Sequence, residues 1–179
     1  MVMMRYFLLI LLLPLAVNTS FAQNEDDFLP QVSMLPIDST EDVVLRFCKD
    51  IITAVPEYRP AFTDKEDVMF SKYIYDNGNF ETLKMSFQFK IVNVVVVTDT
   101  LGNTEEVKKR VVRLMKINGE LNTVTEIYNY LFNTGYTPDK IMAISNKDKL
   151  VSYNGSTFSS SVVADDFKPG YWIITFYKM

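Results

Sequence analysis

From Thr82 to Ile91 the residues alternate strictly. Leu83, Met85, Phe87, Phe89 and Ile91 are apolar, and Thr82, Lys84, Ser86, Gln88 and Lys90 are polar. Successive side chains of an extended chain point to opposite faces, so this is the pattern of a strand with one face in a core and the other in water. One-sided burial of this kind belongs to antiparallel sheets. From Val92 to Val97 the alternation gives way to an almost unbroken valine run, which implies cover on both faces. The whole run exceeds the usual strand length of about 3 to 10 residues, so a bulge or bend is expected near Asn93. Gly102-Asn103 then turns the chain, Glu105 to Ile117 returns as the antiparallel partner, and Asn118-Gly119 closes it.

Helical patterns flank this hairpin. Val44, Phe47, Ile51 and Val55 recur at helical spacing over about Thr40 to Ala54, with Ser39 and Asp42 as the start signal and Pro56 as the stop. Thr123 with Glu126 repeats the start signal before Val124, Ile127, Tyr128, Leu131 and Phe132, and Asn133-Thr134-Gly135 ends that helix. Thr63 with Glu66 gives a third such signal and predicts a short helix over Asp64 to Lys72. Tyr73 to Tyr75 then reads as a short strand entering an Asn77-Gly78 turn. Lys140 to Ser145 fits either a strand, hairpinned to Leu150–Tyr153, or a helical turn after Thr137-Pro138; Ser156 to Ala164 has no firm assignment. Tyr171 to Tyr177 is a terminal strand, with Trp172, Ile174 and Phe176 on its core face and Tyr171, Ile173, Thr175 and Tyr177 on the other. The expected fold is α+β: one mainly antiparallel sheet of five to seven strands packed with two or three helices.

The first 22 residues have a different character. Arg5 precedes the apolar run Phe7 to Val17, and a more polar stretch leads to Ser20 and Ala22, small residues at the −3 and −1 places of a cleavage site. The run is about half of the roughly 20 residues that a bilayer-spanning helix needs. Residues 1–22 therefore read as a cleavable signal peptide, cut after Ala22, which leaves no transmembrane anchor and places the chain in the periplasm or outside the cell. Residues 23–38 form an extended acidic lead-in carrying Glu25, Asp26 and Asp27, whose second half (Val32, Met34, Leu35, Ile37) is apolar enough to dock. Residues 39–179 make a single globular α+β domain.

Composition removes whole classes of chemistry. The chain has no histidine and one cysteine, Cys48. Ser–His–Asp and Cys–His catalysis, histidine-ligated metals and an intramolecular disulfide are all excluded. Cys48 sits in the first helical pattern and fits a small buried apolar residue. No glycine loop for phosphate and no calcium loop occurs, so no cofactor is expected. The net charge of −4 also argues against nucleic acid.

Four acidic pairs occur, and three are explained by the helix starts (Glu41/Asp42, Glu66/Asp67) or the lead-in (Asp26/Asp27). Asp165/Asp166, before Pro169-Gly170, retains some chemical interest. Lys108, Lys109, Arg110, Arg113 and Lys116 form a basic cluster in which strand parity puts Lys108, Arg110 and Lys116 on one face. A solvated or edge strand guarded against aggregation explains it, and a docking surface for an acidic partner is the sharper alternative. Asn154-Gly155-Ser156 matches a glycosylation acceptor. With Tyr171 and Tyr177, the residues Lys108, Arg110 and Lys116 are the candidate partner surface. The functional expectation is an exported, non-catalytic binding protein of the inhibitor, immunity or envelope-accessory type with a protein partner. A carboxylate-dependent secreted hydrolase is the alternative, and a small outer-membrane barrel a third class that the helices oppose.

Overall fold

The computed structural model describes residues 29–179 except 65, 76–77 and 99, and omits the side chains of 93–97 and 105–108. The signal peptide, the Asn77 corner and the valine-run burial expected above therefore lie outside the described residues. Three helices and one seven-stranded antiparallel sheet make up the α+β fold: α1 (Glu41–Ile52), β1 (Arg59–Thr63), β2 (Asp67–Ile74), β3 (Asn79–Thr98), β4 (Thr104–Glu120), α2 (Leu121–Phe132), α3 (Pro138–Ala143), β5 (Lys149–Tyr153), β6 (Ser156–Ala164) and β7 (Tyr171–Tyr177). The spatial order is β1-β2-β3-β4-β7-β6-β5. The sheet is open, with β1 and β5 at its edges. Among the described residues no helix is long and apolar enough to cross a membrane.

Residues Leu83, Met85 and Phe87 of β3 share one core with Met115 and Ile117 of β4, and with Ile174 and Phe176 of β7. Val44, Phe47 and Ile51 of α1, Ile127 and Leu131 of α2, and Ile141 of α3 join the same cluster, so all three helices lie on one face. Cys48 is buried there as expected, and burial pushes its thiol up to about 12. Gly119 sits in β4 directly under α2. A Cβ there would meet Leu83 Cδ1 at 3.2 Å and methyls of Thr123 and Val124 at 3.6 Å. The glycine is thus a close-approach position and not the turn expected of Asn118-Gly119. Here β4 runs on to pair Asn118, Gly119 and Glu120 with Ile173, Trp172 and Tyr171.

The helix expected over Asp64 to Lys72 is strand β2. Val68 and Phe70 point into the core at period two, and eight residues of β2 pair with β3, so tertiary pairing overrides the local capping signal. Helix α2 starts at Leu121, ahead of the Thr123/Glu126 signal, because the Leu121 N–H is held by the Gly170 carbonyl and Thr123 is buried instead against Tyr58. The open choice at Lys140 to Ser145 resolves as α3, with Pro138 in its first turn and Thr137 Oγ1 accepting from the Lys140 N–H at 3.3 Å. Its proposed strand partner pairs elsewhere: β5 hairpins with β6 through Asn154 and Gly155, both at positive φ. The bulge expected near Asn93 is present between Ile91 and Val94. A second lies between Gln88 and Phe89, opposite Arg113.

The lead-in docks along much of its described length. Pro30 and Val32 bond Ser152 on the outer edge of β5, Ser33 N–H reaches the Leu131 carbonyl at 2.7 Å, and Ile37 and Asp38 align with Val112 of β4. Val32, Leu35 and Ile37 are buried. This segment covers one sheet edge, whereas β1 guards the other with Pro60 and a bulge.

Candidate functional site

One end of the sheet gathers most of the unusual surface. Tyr73 of β2 faces Phe80 of β3 across the hairpin. The Tyr73 ring meets Tyr75 edge-on at 5.0 Å and Phe80 at 5.2 Å. Tyr75 is 88% and Phe80 63% exposed. The β6–β7 loop lies at the same end, because Lys168 Nζ donates to Thr82 Oγ1 at 2.9 Å and the Tyr171 hydroxyl accepts from the Thr82 N–H at 3.2 Å. That loop presents Phe167, 97% exposed. Large apolar side chains scatter singly over most surfaces; three aromatic rings on one hairpin, with a fourth on the adjoining loop, are a patch.

Asp165 shapes this loop. Its carboxylate accepts from Phe167 N–H at 2.9 Å and from Asn118 Nδ2 at 2.6 Å, and these bonds hold its pKa below the usual carboxylate value. Asp165, one of the acidic pair singled out from sequence, thus serves as a loop clamp.

On the helix-covered side of the same end lies a polar cluster that sequence spacing did not bring together. Tyr58, fully buried between α1 and β1, donates to Glu81 Oε2 at 3.1 Å and lies 3.0 Å from Thr123 Oγ1. Burial raises its phenol far above the ordinary value, with the Glu81 charge adding to the effect. Lys72 pairs with Glu81 at 2.8 Å and more loosely with Glu57 at 3.6 Å. Partial burial works against the Glu81 carboxylate, but Lys72 and Tyr58 outweigh it and lower its pKa. Glu120 goes the other way, raised by burial and then by the charge of Glu81, to which it hydrogen-bonds. Two glutamates from β3 and β4 thus meet with opposite biases, Glu120 being the one that holds its proton more tightly. Each residue is individually ordinary in the sequence. Only the convergence of four elements reveals the group, and no spacing rule would have found it.

The five residues singled out from sequence are not brought together. Tyr171 is withdrawn from solvent under the Lys168 ammonium, which sits 3.4 Å above its ring. Tyr177 and Lys116 both lie on the uncovered face of the sheet, in adjacent rows of β7 and β4. Arg110 does not share that face. The bulge at Arg113 shifts the register by one, so Arg110 falls on the core side, stacked 4.8 Å over Phe89 and paired with Glu66 at 3.0 Å. Lys108 aligns with Val94 through its backbone. Strand β4, read as an edge or solvated strand, is the central one of seven. Its charges are tolerated because one sheet face carries no helix among the described residues.

No protein-family model matches this chain, and a comparison with curated proteins finds no relative.

Proposed function

We propose that this chain is an exported binding protein that docks a protein partner through the aromatic end of its sheet. The observation that carries this reading is the exposed group Tyr73, Tyr75, Phe80 and Phe167 on two adjoining loops. Aromatic side chains give large contact area for little lost rotamer freedom, which is why they dominate the energetic centres of interfaces. The leader read at residues 1–22 supports a periplasmic or secreted setting. The test compares tagged wild type with the Tyr75→Ser, Phe80→Ser, Phe167→Ser triple variant in capture from the envelope fraction, with circular dichroism confirming the fold. A partner held by wild type and lost by the variant supports the reading. Identical partners for both, or none for either, overturn it.

The Glu81–Glu120 pair favours a second reading, a carboxylate-dependent hydrolase. One glutamate is biased toward the carboxylate and the other toward the acid, the division that acid–base catalysis uses. Turnover in a panel of glycoside and ester substrates that disappears in both Glu81→Gln and Glu120→Gln would establish it. No turnover by wild type would remove it.

A further inference from the structure

A cleft of about 110 Å³ opens between the lead-in, α2, α3 and the β5–β6 hairpin, and it shares no residue with the aromatic end. Its wall is a stack of rings. Tyr128 lies 4.2 Å from Phe132 and 5.8 Å from Tyr136, both nearly parallel to it. The local sequence explains the stack: Tyr128 and Phe132 are one helical turn apart on α2, and the left-handed Asn133 folds the chain back to deliver Tyr136.

Of the cleft's hydroxyls, that of Thr134 donates to Asn129 Oδ1, but two others are unspent. Ser160 is 3% exposed, lines the cleft, and its hydroxyl has no hydrogen-bond partner among the described residues. The buried Tyr128 hydroxyl also lacks one. Yet no fully enclosed side-chain nitrogen or oxygen among the described residues is left unsatisfied. Both oxygens therefore keep some solvent contact, and since both residues line the cleft a ligand there can bond them. Lys147 and Lys149 also line it, and neither forms an ion pair among the described residues. No acidic residue contributes to the lining, in a chain whose net charge is −4.

We infer that this cleft binds a small arylcarboxylate, a flat apolar ring carrying an anionic head. The ring lies against Tyr128, Phe132 and Tyr136; the head meets Lys147 and Lys149 and accepts from Ser160. The size admits no more than a single ring: the cleft of about 110 Å³ is smaller than the roughly 150 Å³ apolar cavity that takes up benzene, so the ring enters in part, with its head at Lys147, Lys149 and Ser160.

The test titrates the chain from Gln23 with benzoate, benzyl alcohol and benzylamine, following the ring protons of Tyr128, Phe132 and Tyr136 by NMR. Benzoate should saturate, and benzyl alcohol should bind about tenfold more weakly because it keeps the ring and loses the charge. Benzylamine should bind least. The Lys147→Gln, Lys149→Gln double variant, altered at one exposed and one half-buried lysine, should keep the fold and erase the preference for benzoate over benzyl alcohol. Ser160→Ala should weaken benzoate more than benzyl alcohol. The inference is overturned if benzylamine binds as well as benzoate, or if the preference survives the double variant. It is equally overturned if no saturable shift appears up to about 20 mM benzoate, beyond millimolar affinity.

Discussion

Gly119 offers the most direct test of how the sheet and helix layers meet. In an unhindered strand, replacing glycine by alanine gains roughly 0.5–1 kcal/mol, because the unfolded chain loses freedom. Here the added methyl would stand 3.2 Å from Leu83 Cδ1. Leu83 is fully buried and cannot swing into solvent. Overpacking of this kind costs about 1–3 kcal/mol, which exceeds the gain. The expected net loss for Gly119→Ala is about 1 kcal/mol, and Gly119→Val should lose more, since its branches approach the Thr123 and Val124 methyls. Urea unfolding followed by circular dichroism reads this directly. At a slope of about 1–3 kcal/mol per molar, the alanine variant should lower the midpoint by about 0.3–1 M without changing the slope. A double-mutant cycle isolates the cause. Leu83→Ala alone costs about 2–5 kcal/mol, but the space it opens accommodates the new methyl, so the pair should cost at least about 0.5 kcal/mol less than the sum. A stabilised Gly119→Ala, or strict additivity with Leu83→Ala, would refute the close-approach account.

Three further outcomes follow from the structure. Glu120 has a folded pKa raised above its ordinary 4.5, so the stability it contributes is present below that value and is lost as pH rises through the raised one. Glu126 is raised too, by burial and then by Glu57, and acts in the same direction. Glu81 is lowered, and its contribution is lost only as pH falls below 4.5. Glu120→Gln should therefore flatten the decline of stability above pH 4.5 while leaving the acid limb in place, and an unchanged slope in pH-dependent urea unfolding would contradict the raised Glu120 pKa. Cys48, buried and with its thiol at about 12, should resist iodoacetamide at about pH 8 in the native protein and react once urea unfolds it, as mass spectrometry would show. Ile37→Ala should cost about 2–4 kcal/mol in thermal or urea unfolding, because Ile37 is buried where the lead-in joins β4. A loss under about 0.5 kcal/mol, typical of surface substitutions, would mean that the lead-in does not dock in solution.

Periodicity carried the fold class and little of the site. The alternation was legible because half-burial imprints a period of two on the residues themselves, and Leu83, Met85 and Phe87 are buried as expected, whereas Ile91, expected on the same core face, is 62% exposed. The α1 and α2 stripes were legible for the same reason at the helical period. The Thr63/Glu66 signal failed because a capping pattern specifies only one local option. Val68 and Phe70 gain more by pairing with β3 and entering the core than a short helix could return. The Asn154-Gly155 hairpin signal was present and was read as an acceptor site instead. It would have identified β5 and β6, and with them the inward set Phe158, Ser160 and Val162.

By itself, then, the sequence determined the α+β class, the burial of Cys48, and the absence of histidine or disulfide chemistry. These depend on composition and on short-range repeats, which act along the chain. What faces what was decided by the tertiary structure. A single extra residue at Arg113 puts Arg110 and Lys116 on opposite faces, and strand order places β4 at the centre. The Glu81–Glu120 pair, the aromatic end and the ring-lined cleft each join residues far apart in the chain. Such contacts depend on register, on bulges and on the approach of α2 to Gly119, physical facts that no local pattern encodes.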